Sequence, residues 1–128
     1  MKMTGLDHLT INVIDLEKSK FFYENVLELS ECGFIDMGDH TLTYYALPQG
    51  VRLELIDYQD KDTPVPVSEL HIGMYRHFCL VVDSLAELME NCRKYNVEVR
   101  KEPSFVEKLG RNNILIVDPN GVEIEVFE

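Results

Sequence analysis

Two histidines and two glutamates occupy matching places in two copies of one short sequence pattern. His8 and Glu54 belong to the first copy, and His77 and Glu125 belong to the second. Two imidazoles and two carboxylates suit a borderline divalent cation, namely Zn²⁺, Ni²⁺, Co²⁺, Mn²⁺ or Fe²⁺. On an octahedral ion, four protein ligands leave positions open for water or a chelating substrate. Such an ion can polarise a carbonyl or stabilise an enediolate, and a carboxylate that loosens from it can move a proton.

The repeated pattern joins a histidine-bearing segment to a later segment of the form Pro-x-Gly-Val-x-Leu/Ile-Glu. The first copy extends from Leu6–Ile11 to Pro48–Glu54, and the second from Tyr75–Leu80 to Pro119–Glu125. A lone histidine or glutamate on a strand usually has a structural or solvent-exposed role. The hypothesis of a metal site therefore depends on the four groups occurring together at repeat-equivalent positions.

Alternation of polar and apolar residues predicts that strands present these four side chains. In the segments Leu6–Val13 and His77–Val82, the apolar residues face one way and the histidine faces the other. The same parity in Val51–Tyr58 and Val122–Phe127 puts each glutamate opposite the apolar set. We therefore expect all four candidate ligands to project from the sheet faces that do not pack on helices.

A helix is predicted after each histidine-bearing strand. Asp15 is a suitable N-cap for a helix over Leu16–Leu27, and Ser84 with Glu87 forms a capping box for a second helix. The second helix carries an apolar stripe that is expected to be core: Leu85, Leu88, Met89 and Cys92.

Each copy is predicted to close with a hairpin. Thr41–Leu47 turns through Pro48-Gln49-Gly50, and Ile114–Val117 turns through Asp118–Gly121. The predicted fold is α+β, with two βαβββ modules forming a curved mixed sheet cup. The modules cover residues 1–58 and 75–128, a linker covers 59–74, and both belong to one domain of residues 1–128.

Bulk composition excludes several classes of protein. The chain has 128 residues and a formal net charge of −11, which argues against nucleic acid and anionic membrane surfaces as partners. It contains no apolar run of the ~18 residues that span a bilayer. The three cysteines, Cys32, Cys79 and Cys92, lack Cys-x-x-Cys spacing and are expected to be reduced thiols. We expect a cytoplasmic protein.

Other polar residues have simpler interpretations. Arg52 and Glu123 occupy equivalent positions two residues before each glutamate ligand, and they are either ordinary surface charges or polar groups at the mouth of the cup. In the second case Arg52 is available for a substrate anion. Cys79 matches Thr10 and is expected near the metal. The remaining histidines have no repeat partner and are expected at the surface: His40 and His71.

The sequence resembles the vicinal-oxygen-chelate superfamily. The matching motifs are Leu6–Val13, Phe22-Tyr23 on the first helix, and Asp118–Glu125. This superfamily includes glyoxalase I, ring-cleaving extradiol dioxygenases, fosfomycin-resistance enzymes and bleomycin-binding proteins. The resemblance implies the two-module fold over nearly the whole chain, and a homodimer that acts on a small molecule.

The order His, Glu, His, Glu is most similar to that of bacterial glyoxalase I, which isomerises the hemithioacetal of methylglyoxal and glutathione to lactoylglutathione. The resemblance implies that His8, Glu54, His77 and Glu125 are the metal ligands. It also implies that the Glu125 carboxylate shuttles the proton, with Glu54 as its partner. Similar enzymes usually carry an arginine four residues after the first ligand, where it holds the glutamyl carboxylate of glutathione. Here that residue is Asn12.

Two alternative functions stay open at this point. The chain could be another metalloenzyme of the superfamily, either an iron-dependent ring-cleaving dioxygenase or a thiol transferase that acts on an antibiotic. Such enzymes usually use two histidines and one glutamate, so the additional Glu54 argues mildly against them. It could also be a metal-free binding protein of the resistance type, which the intact ligand set disfavours.

Overall fold

Each half of the chain folds as one strand, one helix and three further strands, which confirms the predicted α+β class. The computed structural model describes residues 1–61 and 76–128. Contacts divide the chain into two units, Met1–Thr63 and Pro64–Glu128. Residues 62–74 of the predicted linker, together with His71, lie outside the described residues.

The first unit is a four-stranded mixed sheet with one helix. Its strands lie in the order β1-β4-β3-β2, and β1 is parallel to β4 while the other neighbours are antiparallel. The elements are β1 (His8–Asn12), α1 (Leu16–Asn25), β2 (Glu31–Asp36), β3 (His40–Ala46) and β4 (Arg52–Tyr58).

The second unit repeats this topology. Its strand order is β5-β8-β7-β6, and β5 is again parallel to β8. The elements are β5 (Phe78–Val81), α2 (Leu85–Lys94), β6 (Glu98–Val106), β7 (Arg111–Val117) and β8 (Glu123–Phe127).

Both predicted helix caps are present. The Asp15 side chain accepts a hydrogen bond from the Lys18 backbone N–H, and Ser84 accepts one from the Glu87 backbone N–H. The first helix ends at Asn25 and not at Leu27 as predicted. Glu28 adopts a left-handed conformation with φ 54°, and the chain then turns back so that Leu29 N–H donates to Tyr23 O. Glycine is the usual residue at such a turn. Because Glu28 occupies it here, the end of the helix could not be recognised from residue type.

Apolar residues of the strands and helices form a core on one side of each sheet. In both units the central strands contribute fully buried side chains, and the predicted stripe of α2 is buried as well. Burial raises the pKa of the Cys92 thiol to about 11, so this cysteine is a packing residue. The core includes Leu53 and Leu55 in the first unit and Ile114, Ile116, Ile124 and Val126 in the second.

The two predicted hairpin turns are present, and one is fixed by a side chain. Asp118 is buried, and its Oδ1 accepts hydrogen bonds of 2.8 Å from the backbone N–H groups of Asn120 and Val122. Gly121 takes φ 82°, a conformation that glycine adopts without strain. This turn sets where β8 starts and therefore which side chains of β8 face away from the core.

Two strand boundaries differ from the prediction in ways that affect the polar residues. β7 was expected to begin at Ile114 but begins at Arg111, because Asn112 and Asn113 continue the ladder with β6. β3 begins at His40, one residue before the predicted Thr41, and the His40 ring lies 4.9 Å from that of Tyr58. Among the described residues, no helix is long and apolar enough to cross a membrane.

Candidate functional site

In the first unit, β1 and β4 bring His8 and Glu54 together on the sheet face away from the core. The parallel register sets Thr10 directly opposite Glu54. His8 Nε2 lies 3.9 Å from Glu54 Oε1, and the Thr10 hydroxyl donates to the same oxygen at 3.0 Å. We call this the ligand face of the first unit. The strand alternation predicted from the sequence is confirmed here.

Tyr44 supplies a second hydroxyl to the Glu54 carboxylate. It lies directly opposite Glu54 on the neighbouring strand β3. The hydrogen bond to Glu54 is the main reason why the pKa of Tyr44 is raised. The buried carboxylate is therefore oriented from both neighbouring strands. Tyr44 is not predictable from sequence pattern alone, because its place beside Glu54 depends on the register of the hairpin.

Asp7 orients the His8 ring from the opposite side. His8 Nδ1 lies 2.6 Å from Asp7 Oδ2, and Arg52 donates to the same oxygen at 2.7 Å. The hydrogen bonds from His8 and Arg52 lower the pKa of Asp7. An ionised carboxylate is an acceptor only, so Nδ1 carries the proton and Nε2 keeps a lone pair for a ligand.

Arg52 is thus committed to Asp7, and its guanidinium also lies 4.6 Å from the centre of the Tyr44 ring. The hypothesis that Arg52 is available for a substrate anion does not fit these contacts. Arg52 instead forms an ion pair with the Asp7 carboxylate, which in turn is hydrogen-bonded to His8.

In the second unit, β5 and β8 bring His77 and Glu125 together in the equivalent way. His77 Nε2 lies 3.2 Å from Glu125 Oε2. Cys79 lies directly opposite Glu125, as Thr10 does opposite Glu54. Burial, followed by the charge of Glu125 and a hydrogen bond with it, raises the pKa of the Cys79 thiol. Cys79 therefore lies beside a predicted ligand, as expected, and has the properties of a neutral thiol.

A side-chain amide fixes the other oxygen of Glu125. Asn113 Nδ2 donates to Glu125 Oε1 at 2.8 Å, and Lys101 donates to Asn113 Oδ1. An ammonium group is only a donor, so it determines which end of the Asn113 amide faces Glu125. Neither residue was identified from the sequence, because β7 was predicted to begin after Asn113. We call this sheet face the ligand face of the second unit.

The two units carry ion pairs of opposite polarity at equivalent positions. Asp7 pairs with Arg52 in the first unit, whereas Arg76 pairs with Glu123 in the second. Arg76 cannot accept a hydrogen bond as Asp7 does. The Nδ1 atom of His77 is consequently buried without a hydrogen-bond partner among residues 1–61 and 76–128. The two histidines are therefore held differently, although they occupy equivalent positions in the two modules.

Glu123 is a buried carboxylate and not the surface charge that one interpretation expected. It is 9% exposed and is paired with both Arg76 and Arg100. Arg100 also contacts Glu98, whose side chain is exposed. This cluster joins β8 to β6 and to the residue two before the start of β5.

The donor atoms of the second unit fit a shared cation, and those of the first unit lie farther apart than two ligands of one ion. Two ligands bound ~2.1 Å from one ion lie roughly 3.0–3.4 Å apart at octahedral to tetrahedral angles. The distance of 3.2 Å in the second unit matches this range, and the 3.9 Å in the first is somewhat longer. In the described part of the chain, no group of three or more His, Cys, Asp and Glu residues is arranged to hold a metal ion. Each unit thus assembles one His–Glu pair.

The chain belongs to the Glyoxalase/Bleomycin resistance protein/Dioxygenase superfamily, whose sequence profile it matches over residues 5–126. It is 25% identical over 126 residues to the mitochondrial methylmalonyl-CoA epimerase of Homo sapiens, covering 94% of this chain and 72% of that protein. The corresponding protein of Mus musculus is 23% identical, over 98% of this chain and 73% of its own length.

Solved structures show the same fold. The trypanothione-dependent glyoxalase I of Leishmania major superposes with a TM-score of 0.78 at 27% identity, covering 98% of this chain and 87% of that one. A glyoxylase/bleomycin resistance protein/dioxygenase domain from Frankia superposes with a TM-score of 0.80 at 19% identity, covering 98% of both chains. At the latter identity the likeness concerns the fold alone.

Replacing Glu123 with glutamine should destabilise the protein. The neutral amide is a weaker acceptor for the two guanidinium groups of Arg76 and Arg100, and a loss of about 1–3 kcal/mol in the free energy of unfolding is expected. Urea denaturation measures the change. The matched control is Glu98→Gln, which removes an exposed carboxylate from the same cluster and should change stability by less than about 0.5 kcal/mol. Equal free energies of unfolding for Glu123→Gln and Glu98→Gln would show that the buried ion pairs of Glu123 contribute no more to stability than the exposed pair of Glu98.

Proposed function

We propose that this protein is a divalent-metal-dependent isomerase that moves a proton on a carbon next to a carbonyl group, as a glyoxalase I-like lyase does. The observation that supports it best is the pair of His–Glu contacts, His8 with Glu54 and His77 with Glu125. Each pair lies on a polar sheet face, and the two pairs occupy repeat-equivalent positions. We assign all four side chains as ligands of one cation.

When bound, the cation supplies a Lewis acid that polarises the substrate carbonyl and so acidifies the neighbouring C–H bond. Nickel, zinc, cobalt, manganese and iron all accept imidazole and carboxylate ligands. The protein's own contribution is orientation. Asp7 fixes the ring of His8, two hydroxyl groups fix Glu54, and Asn113 fixes Glu125.

We assign Glu125 as the proton-transferring base. Its side chain is 19% exposed, against 8% for Glu54, so it is the more accessible of the two carboxylates. Asn113 occupies Oε1, so Oε2, the atom that faces His77, would be the metal ligand and, when released from the cation, would take the proton from carbon. The proton then returns either to the adjacent carbon, which is an isomerisation, or to the opposite face of the same carbon, which is an epimerisation. Glu54 is the partner carboxylate in this exchange.

The named relatives indicate two classes of substrate. Methylmalonyl-CoA epimerase is named for an acyl-CoA thioester, and the Leishmania enzyme for a glyoxalase reaction that depends on a thiol cofactor. Both types of substrate carry an acidic C–H bond next to a carbonyl carbon. The sulfur is bonded to the C–H carbon in the hemithioacetal and to the carbonyl carbon in the thioester. Asn12 is exposed on the ligand face of the first unit and is neutral, so it offers no ion pair to the glutamyl carboxylate of glutathione. Both substrate classes therefore belong in the test.

Metal binding should stabilise the folded protein. A cation that binds only the native state at ~100 times its Kd adds about 2.7 kcal/mol, which raises the melting temperature by several degrees. The expected result is a clear increase for the wild type in Ni²⁺ or Zn²⁺, and a much smaller increase for His77→Ala. Differential scanning fluorimetry with and without metal measures both.

The control for that experiment is His40→Ala. His40 lies beside Asp39 and Tyr58 rather than with the ligand pairs, so this variant should keep the full increase produced by the metal. The metal hypothesis fails if His77→Ala responds as strongly as the wild type. If His40→Ala alone lost the metal-induced increase in melting temperature, His40 and not His77 would be the ligand.

The two His–Glu pairs can supply one cation either within a chain or between the chains of a homodimer. We propose a homodimer, by analogy with the family. Mixing His8→Ala with His77→Ala distinguishes the two arrangements. If the ligands come from different chains, a mixed dimer contains one complete set of four, and part of the nickel binding returns. If all four come from one chain, mixing restores nothing.

Removal of the base should abolish proton transfer while leaving an oxygen ligand in place. For Glu125→Gln we expect the rate to fall by roughly 100-fold or more, the usual contribution of a general base. The measurements are conversion of the methylglyoxal–glutathione hemithioacetal, and deuterium uptake by methylmalonyl-CoA in D₂O. Glu90→Gln, an exposed substitution on α2, is the charge-matched control and should stay within about twofold of the wild type. Equal losses in the two variants would place the base elsewhere.

A further inference from the structure

Arg111 lies on the ligand face of the second unit, at the far end from Glu123. It precedes Asn113 by two residues on β7, and Asn113 is the residue that donates to Glu125. Side chains two apart on a strand share a face. The Arg111 guanidinium is 4.7 Å from the centre of the Phe127 ring, and Phe127 follows Glu125 by two residues on β8. Arg111 and the assigned base therefore face the same side of the sheet.

No carboxylate in the described ranges neutralises the charge of Arg111. Arg52, Arg76 and Arg100 each form an ion pair with an acidic side chain. Arg111 forms none with any residue in the described ranges, although the chain carries a net charge of −11. Arg111 is exposed. Its contact with Phe127 is a cation–π interaction, which leaves the N–H donors at the edge of the guanidinium available to a ligand.

This arrangement suits recognition of an anion. A guanidinium placed over an aromatic ring is restrained by that contact, and its planar fork can bind a carboxylate or a phosphate with two hydrogen bonds. In an acidic protein, an anionic substrate is repelled by the surface as a whole and needs a local cation. A guanidinium on the same sheet face as the assigned base, with no ion pair in the described ranges, meets that need.

We propose that Arg111, stacked on Phe127, binds an anionic group of the substrate and thereby orients the reacting carbon toward Glu125. This inference rests on the proposed function. Glu125 and Phe127 are separated by two residues, or about 7 Å along the strand. The bound anion therefore lies roughly 7–10 Å from the base, several bonds away from the carbon that loses its proton. A terminal carboxylate of a glutathione conjugate and a phosphate of a coenzyme A thioester both provide such a group.

Binding of unreactive thioethers tests the assignment without requiring turnover. S-methylglutathione presents carboxylates and S-methyl-coenzyme A presents phosphates, and neither contains the reactive carbonyl at its sulfur. Isothermal titration calorimetry is performed on the intact protein, with and without Ni²⁺. We expect at least one thioether to bind, and Arg111→Gln to raise its Kd by roughly tenfold or more. The thioether that binds identifies which anion is recognised.

Two further variants make the result specific. Arg111→Lys keeps the positive charge but lacks the planar fork, so its Kd should lie between those of the wild type and Arg111→Gln, which also shows that the fold tolerates a change at this position. Arg93→Gln removes the same charge from the exposed end of α2 and should leave Kd within about twofold. The proposal is overturned if the wild type binds neither thioether, if Arg111→Gln binds as tightly as the wild type, or if Arg93→Gln weakens binding equally.

The binding test and the test of the base fail independently. If binding depends on Arg111 but Glu125→Gln retains proton transfer, the assigned base is wrong and the anion site stands. If Glu125→Gln loses proton transfer but Arg111→Gln binds the thioether as tightly as the wild type, the proposed function stands and the anion is bound elsewhere.

Discussion

The parallel pairing of the first and last strand of each module is the constraint on which the candidate site depends. It sets Thr10 opposite Glu54 in one unit and Cys79 opposite Glu125 in the other, with each histidine two residues before that pair. A slip of one residue in either register would turn the glutamate into the core. The apolar residues that flank each glutamate on its strand prevent such a slip, because they would then face water.

One backbone arrangement supports two different environments for the histidines. The ion pair is Asp7 with Arg52 in one unit and, with the charges exchanged, Arg76 with Glu123 in the other. His8 therefore has a carboxylate on Nδ1, whereas His77 has none among residues 1–61 and 76–128. A carboxylate behind an imidazole fixes its orientation and increases its basicity as a ligand. The two halves of the duplication are therefore equivalent in fold and unequal in chemistry.

The glutamates also differ in how they are supported. The buried Glu54 carboxylate accepts hydrogen bonds from two hydroxyl groups. Glu125 accepts one from the Asn113 amide, which is itself held by Lys101. Buried carboxylates are stable only when hydrogen bonds replace the lost water. The partners that do so come from the neighbouring strand of each sheet. Support of the site is thus a property of the whole sheet and not of the two motif-bearing strands.

The sequence by itself determined the duplication, the βαβββ order, the helix caps and the sheet face of His8, Glu54, His77 and Glu125, because these depend on periodicity and short-range chemistry. It could not determine the end of α1 or the start of β7, since Glu28 and Asn113 carry no local signal for what they do. Tyr44, Asn113 and Arg111 belong to the ligand faces only through strand register. That register joins residues far apart in the chain, so only the tertiary structure decided which side chains support the carboxylates.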